Sequence, residues 1–176
     1  MRLAPRKRGL PLLRAAAAAR GRLPRGTGLR LTVIGDGPQR QAMTSWIGRH
    51  GAADWVELTG RLTADQIREV YRSAQVFAQA SRLESFGIAA LEARTAGLAV
   101  VAMAGTGVGE FVEDGVGGLL VADDEGLAAA LVRLAVDVPL RRAMAAHNRT
   151  VPPPTTWPDV LRRCDELYAR AGAVGR

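Results

Sequence analysis

The sequence predicts an α/β fold built on a doubly wound parallel sheet, and three observations lead there. Short β-branched or apolar runs alternate with helix-period segments along nearly all of the 176 residues. Glycine-bearing turns close several of those runs. Hydrophobic residues make up 48% of the chain and charged residues 23%, enough apolar side chain for one real core. Strands that alternate with helices pair in parallel through right-handed crossovers. Ligands of such sheets bind at the carboxyl ends of the strands.

The elements follow in chain order. A helix over about 9–20 comes after a basic, proline-containing start, so the sheet begins as if in mid-strand. "LRLTVIG" (29–35) is the first full strand, ending in the turn "DGP". Pro38 suits the first turn of a helix that runs to about His50. "WVELTG" (55–60) is a strand, and "TADQIREVYRSA" (63–74) is a helix opened by a Thr63/Gln66 capping box. "VFAQAS" (76–81) is the third strand, and the helix over 85–96 stops at Gly97. "LAVVAM" (98–103) is the fourth strand, followed by a short helix near Gly109 to Glu113. "GGLLV" (117–121) is the fifth, with helices near 124–136 and 139–148 after it. "VPPPTT" (151–156) reads as a rigid, extended linker. The segment from Trp157 onward is an amphipathic helix with Trp157, Val160, Leu161, Cys164, Leu167 and Tyr168 on one face. That face is expected to dock on its own sheet, to pack against a second chain, or to move.

Composition excludes several classes. The longest apolar run, around Ala96 to Gly105, is about half of what a bilayer span needs, which leaves membrane association peripheral at most. Pro11 and Arg14 interrupt any leader-like apolar core near the start. One cysteine, Cys164, forms no internal disulfide and fits a reducing, cytoplasmic compartment. The net charge is +7, and residues 1–35 hold nine basic groups and no acid, so one end of the fold attracts anions. Aromatic residues are few and not interleaved with the arginines, so nucleic acid is not the expected partner.

"SRLESFGIAALEA" (81–93) carries the chemistry. Glu84 falls in the loop after the third strand and Glu92 falls within the next helix, about 12 Å further along the axis. Between them lies a helix N-terminus, where free N–H groups and the dipole favour an anion. Gly87 lets a pyrophosphate approach the backbone closely. The segment thus offers a hydroxyl acceptor, an anion seat and a second hydroxyl acceptor, in that order. An arbitrary pair of glutamates at this spacing is more often a helix-capping acid and a solvated one. The accompanying segments decide otherwise.

"GDGPQR", "VELTGRLT", "SRLESFGIAALEA", "GLAVVA" and "GVGEFVEDGVGGLLV", in this order and spacing, resemble the nucleotide-sugar half of retaining GT-B glycosyltransferases of family four. "RLAPRK" resembles that family's arginine–lysine motif. The similarity covers about residues 2–170. It implies a Rossmann-like domain over 1–150 that forms one half of a GT-B fold, a linker at 151–156 and a crossover helix at 157–176. An N-terminal acceptor domain and the strand before Arg2 are expected to be absent. The implied reaction transfers a sugar from a UDP- or GDP-sugar to an acceptor hydroxyl with retention, as in a hexosyltransferase, with no cofactor and no metal. The isolated chain is expected to be inactive.

Residue by residue, Arg2 and Lys7 resemble the cations that bind the donor diphosphate. Glu84 matches the glutamate facing the donor sugar, and Glu92 the one holding the ribose hydroxyls. Ser85, Phe86 and Gly87 match the backbone stretch against sugar and phosphates. Arg61 and Leu62 match the nucleobase lining, and Gly35 and Gly37 the turn facing the cleft. Two departures touch the sugar pocket. Ala80 stands where the family usually has proline, and Thr106 to Glu110 replaces a glycine pair and proline.

Other signals are weaker. "GDGPQR" lacks the third glycine of a dinucleotide fingerprint, and "GTGVGE" lacks the lysine of a P-loop. His50 and His147 read as surface histidines without partners, Cys164 as core, and "ADDE" as a helix start. A non-catalytic nucleotide-sugar-binding module and a GT-B epimerase stay open as alternatives. The expected partners are the nucleotide sugar, a saccharide, lipid or small-molecule acceptor, and a separate chain carrying the acceptor domain.

Overall fold

The computed structural model describes residues 2–154 and 157–174. Among the described residues the strands are β1 Leu31–Ile34, β2 Val56–Gly60, β3 Val76–Gln79, β4 Ala99–Met103 and β5 Gly118–Val121. The α-helices among them are α1 Gly9–Arg22, α2 Arg40–Arg49, α3 Ala64–Ser73, α4 Ile88–Thr95, α5 Asp124–Val136, α6 Val138–Thr150 and α7 Trp157–Val174. Every strand pairing is parallel, as alternation with helices requires.

The strands form two hydrogen-bonded groups rather than one continuous sheet: β1 with β2, and β3–β4–β5. Among the described residues no strand pairs with both β1 and β3. The chain instead enters beside β1, where Arg2 forms a parallel bridge with Asp36 and the Leu3 N–H donates to the Asp36 carbonyl at 2.8 Å.

Strand β4 shows why helices cover both faces. It is buried along its whole length, and its side chains alternate between two cores. Ala99, Val101 and Met103 join the core under α1, α5 and α6, while Val100 and Ala102 join the one holding Ala90, Val108 and Phe111. An all-apolar run such as "AVVAM" is what a strand covered on both faces requires.

Helix α1 joins the two strand groups. Leu12, Ala15 and Ala19 face the core of β4 and β5, and Leu13 and Ala16 face the core of β1, β2 and α2. Its alanines are small enough for close approach on both sides, which makes the "AAAAA" run a packing device. Asn148 ties the sheet ends together: it is buried, and its Nδ2 donates to the carbonyls of Leu98 and Gly117, both at 2.7 Å.

Several local expectations change. The predicted helix near Gly109 to Glu113 is a 3-10 turn over Gly107–Glu110. Pro38 lies just before α2, whose N-cap is Gln39. The Thr63/Gln66 capping box is present in both directions. Asp123 caps α5 by accepting from the Gly126 N–H at 2.8 Å, so "ADDE" is a helix start. His50 is exposed but not without partners: it stacks on Trp46 at 4.2 Å, and its Nδ1 lies 2.8 Å from the Trp46 carbonyl one turn back.

Helix α7 does not bury its apolar face on its own sheet. Leu161, Leu167 and Tyr168 are 60%, 63% and 78% exposed. Cys164 is exposed too, which corrects its reading as core: among the described residues nothing packs over it. The Trp157 side chain and residues 155–156 of the expected linker lie outside the described residues. No helix among the described residues is long and apolar enough to cross a membrane.

Candidate functional site

The site lies at the carboxyl ends of the strands and is assembled from three turns. The first is the basic start. Pro5 opens a 3-10 turn over Pro5–Lys7, and Arg8 closes it in a left-handed conformation at φ 55° before α1 begins. Arg8 is held by Asp124 at the start of α5, with its Nη2 2.7 Å from both carboxylate oxygens. Anchoring Arg8 presents its neighbour Lys7 to the loop after β3.

There Lys7 meets Glu84. The Lys7 Nζ donates to Glu84 Oε2 at 2.5 Å, with the two side chains 23% and 17% exposed. Gln79 Nε2 lies 3.3 Å from the same oxygen. Glu84 Oε1 accepts from no described residue. Ser81, 1% exposed, places its hydroxyl 3.1 Å from the carbonyls of Arg6 and Leu83. It has one proton to donate, and either bond clamps the loop; the bond to Arg6 joins it to the basic turn.

The third turn supports the second from below. Gly107 N–H donates to the Glu84 carbonyl at 2.9 Å. A Cβ on Gly107 would lie 2.0 Å from the Ser85 carbonyl oxygen, so only glycine permits this approach. Gly87, at φ 92°, starts α4 with no side-chain cap. The Ala90 and Leu91 N–H groups both donate to the Gly87 carbonyl, which leaves the Ile88 and Ala89 N–H groups at the start of α4 available to an anion. Phe86 packs on Phe111 with ring centroids 5.4 Å apart, and Ser85 is exposed.

The same basic start also reaches, through Arg2, a cleft of about 510 Å³. Arg2, Gly37, Arg61 and Leu62 line it, together with Ile34, Pro38, Ile67 and one carboxylate, Asp36, whose Oδ1 accepts from the Gly37 N–H at 2.7 Å. Its size is in the usual range for small-molecule sites. Gly35 flanks it, with its N–H donating to the Gly60 carbonyl at 2.7 Å. A Cβ on Gly37 would sit 2.7 Å from the Leu3 backbone nitrogen, so the turn presses directly on the basic start.

Glu92 lies in the second turn of α4, exposed and outside the lining of that cleft. Its neighbour is Tyr71, whose hydroxyl donates to the Ala89 carbonyl at 3.3 Å. Burial first, and the Glu92 charge second, push the Tyr71 hydroxyl up to about 12. Tyr71 is one turn along α3 from Ile67, a residue of the cleft wall, but neither Tyr71 nor Glu92 lines the cleft itself.

The fold thus brings Lys7, Glu84 and Gly87 into one cluster and Arg2, Gly37, Arg61 and Leu62 into another. Ser81, Gln79, Gly107 and Tyr71 were not among the predicted site residues. The only sequence signal for Gly107 was its place in a glycine-rich turn after a strand. The other three are recognisable only once their partners are known.

The sequence model of the family described as "Glycosyl transferases group 1" matches residues 1–137. The chain is 35% identical over 182 residues to the D-inositol 3-phosphate glycosyltransferase of Salinispora arenicola, covering 98% of this chain and 40% of that protein. It is 31% identical over 178 residues to a GDP-mannose-dependent alpha-(1-6)-phosphatidylinositol monomannoside mannosyltransferase of Mycobacterium tuberculosis, covering 96% and 44%. The chain therefore spans less than half the length of either relative. Among solved structures, Anabaena HepE in complex with UDP superposes with a TM-score of 0.74 at 26% identity, over 86% of this chain and 42% of that one. The C-terminal domain of a group 1 glycosyl transferase from Francisella tularensis superposes at 0.72 and 24% identity, over 84% and 78%, a likeness of fold. By family match, fold and strand topology, this chain belongs to the glycosyl transferases group 1 and corresponds to the C-terminal half of their GT-B fold.

Proposed function

We propose that the chain binds a nucleotide diphosphate sugar and forms the donor half of a retaining hexosyltransferase. The observation that carries this is that one basic start supplies both Lys7, paired with Glu84 in the loop leading to the uncapped start of α4, and Arg2, which lines the 510 Å³ cleft. The cleft takes the nucleoside, with Arg61 and Leu62 against the base and Glu92 on the ribose hydroxyls. Arg2, Lys7 and the first N–H groups of α4 meet the diphosphate. Glu84 Oε1, which has no donor among the described residues, accepts from a hydroxyl of the sugar.

Transfer breaks the bond between the sugar's anomeric carbon and the diphosphate, and charge develops on the departing oxygen. Cations and N–H dipoles set in advance stabilise that charge more than they stabilise the bound substrate. This chemistry asks for no metal. The acceptor hydroxyl is met by residues outside 2–174, in keeping with relatives more than twice as long, so the isolated chain binds the donor and does not turn it over. A cytoplasmic setting suits the nucleotide-sugar donor and the single cysteine.

Calorimetry with UDP and GDP tests the reading. Saturable binding of one of them, weakened at least about tenfold by Lys7→Ala, is the expected result, since a charge-assisted hydrogen bond contributes about 1.5–3 kcal/mol. No binding of either nucleotide, or binding indifferent to Lys7→Ala, overturns it.

A further inference from the structure

On the opposite edge of the sheet, at the amino ends of β3 and β4, lies a second groove of about 280 Å³. Three arginines line it: Arg141, Arg142 and Arg149. Arg141, Ala145 and Arg149 recur every four residues along α6, so they share a face, and Arg142 lies beside them. Ala145 leaves room between the guanidinium groups. Gln75 and Gly97, just before β3 and β4, form the far wall.

No carboxylate lines this groove, and none of the three arginines is ion-paired among the described residues. Arg141 is oriented by the end of α5, its Nη1 donating to the Leu134 carbonyl at 2.5 Å. Arg149 lies across Gly97, its Nη1 3.4 Å from the Gly97 carbonyl. A Cβ at Gly97 would fall 2.3 Å from Arg149 Cγ, so the bare glycine is what lets the Arg149 stem lie down there. Arg142 makes no hydrogen bond at all among the described residues. Two guanidinium groups are thus held by backbone carbonyls and the third is unengaged. Like charges brought together in a concave site repel one another, and an anion between them relieves that repulsion.

We infer that this groove is a second oxyanion site, distinct from the donor cleft, which takes a phosphate group. Guanidinium forks match phosphate oxygens in pairs, and three of them with no competing carboxylate suit a doubly charged tetrahedral anion better than a halide. The phosphate belongs either to a lipid headgroup or to a free phosphorylated molecule.

The test follows the Gly97 amide and the arginine Nε–H signals of the 15N-labelled full chain during titration with inorganic phosphate. Saturable shifts at Gly97, Arg142 and Arg149 are expected. They should persist in Lys7→Ala, which separates this site from the donor cleft, and weaken at least about tenfold in Arg142→Gln/Arg149→Gln. Arg142→Gln alone touches no hydrogen bond, so it keeps the test open if the double variant misfolds; it should weaken the shifts and leave UDP affinity unchanged. Shifts confined to the donor cleft, shifts undiminished in Arg142→Gln, or equal shifts with chloride at matched ionic strength overturn the inference. Co-sedimentation with phosphatidylcholine vesicles containing phosphatidic acid, lost in Arg142→Gln, assigns the headgroup. Phosphate shifts without vesicle binding assign a free phosphorylated ligand.

Discussion

Lys7 and Glu84, 77 positions apart in the chain, share a 2.5 Å ion pair that also accepts from Gln79 on the same carboxylate oxygen. The ammonium has three N–H donors and spends one on Glu84, which leaves two for other acceptors. The carboxylate spends Oε2 and leaves Oε1 for a hydroxyl. The pair therefore holds both groups in place without exhausting either.

Because the pair is more than three-quarters shielded on each side, losing one member leaves a desolvated charge behind. Lys7→Ala is expected to cost about 1–3 kcal/mol of stability. Glu84→Gln should cost less, since its amide keeps one carbonyl oxygen as an acceptor. A double-mutant cycle by urea denaturation should return a coupling energy of about 1 kcal/mol or more. Additive effects would show that the two side chains do not interact in solution.

Gly107→Ala has a sharper expectation. The new methyl group meets the Ser85 carbonyl at 2.0 Å, and a main-chain carbonyl cannot swing aside as a side chain would. The loop carrying Glu84 must move, at a cost of about 1–3 kcal/mol. UDP affinity should fall together with the urea midpoint. Gly105→Ala is no clean control, since Gly105 sits at φ 71°. Gly21→Ala in α1, where an added Cβ meets nothing within 4 Å, is the suitable one: it should leave UDP affinity unchanged and, by removing a helical glycine, raise the urea midpoint slightly if it moves it at all.

Tyr71 gives a pH dependence with a definite sign. Its hydroxyl holds its proton more tightly in the fold, up to about 12, than in the unfolded chain, near 10. Between those values the native state binds more protons than the unfolded state, so stability falls as pH rises. The urea midpoint should decline between about pH 10 and 12, and Tyr71→Phe should remove part of that decline. Titration of absorbance near the phenolate band in a Tyr168→Phe background reads the group directly. A midpoint well below the stated value would show that Tyr71 is more open to water than the structure has it.

Helix α7 should exchange its amide hydrogens quickly. Leu161, Leu167 and Tyr168 are exposed, so tertiary packing adds little to a helix that on its own is marginal in water. Protection across 157–172 should stay within about tenfold of an unstructured peptide, far below that of β4. Slow exchange in a dilute monomer would mean that the helix is docked.

Much of the fold was legible in the sequence because periodicity is local. Five apolar runs with turn residues after them mark five strands, and "AVVAM" announces a strand buried on both faces by lacking any polar position. The Thr63/Gln66 box needs only four consecutive residues. The conjunction of ordered segments pointed to the family, which the family match then showed. Tertiary structure alone decided the rest. That Lys7 pairs with Glu84, that Ser81 clamps Arg6, and that Gly107 underlies Ser85 are contacts between segments far apart in the chain, and no spacing rule encodes them. The division of the strands into two groups, and the exposure of Cys164 on an apolar helical face, follow from what packs beside each surface. A one-dimensional pattern states which side chains seek burial, and only the folded chain determines whether anything is there to cover them.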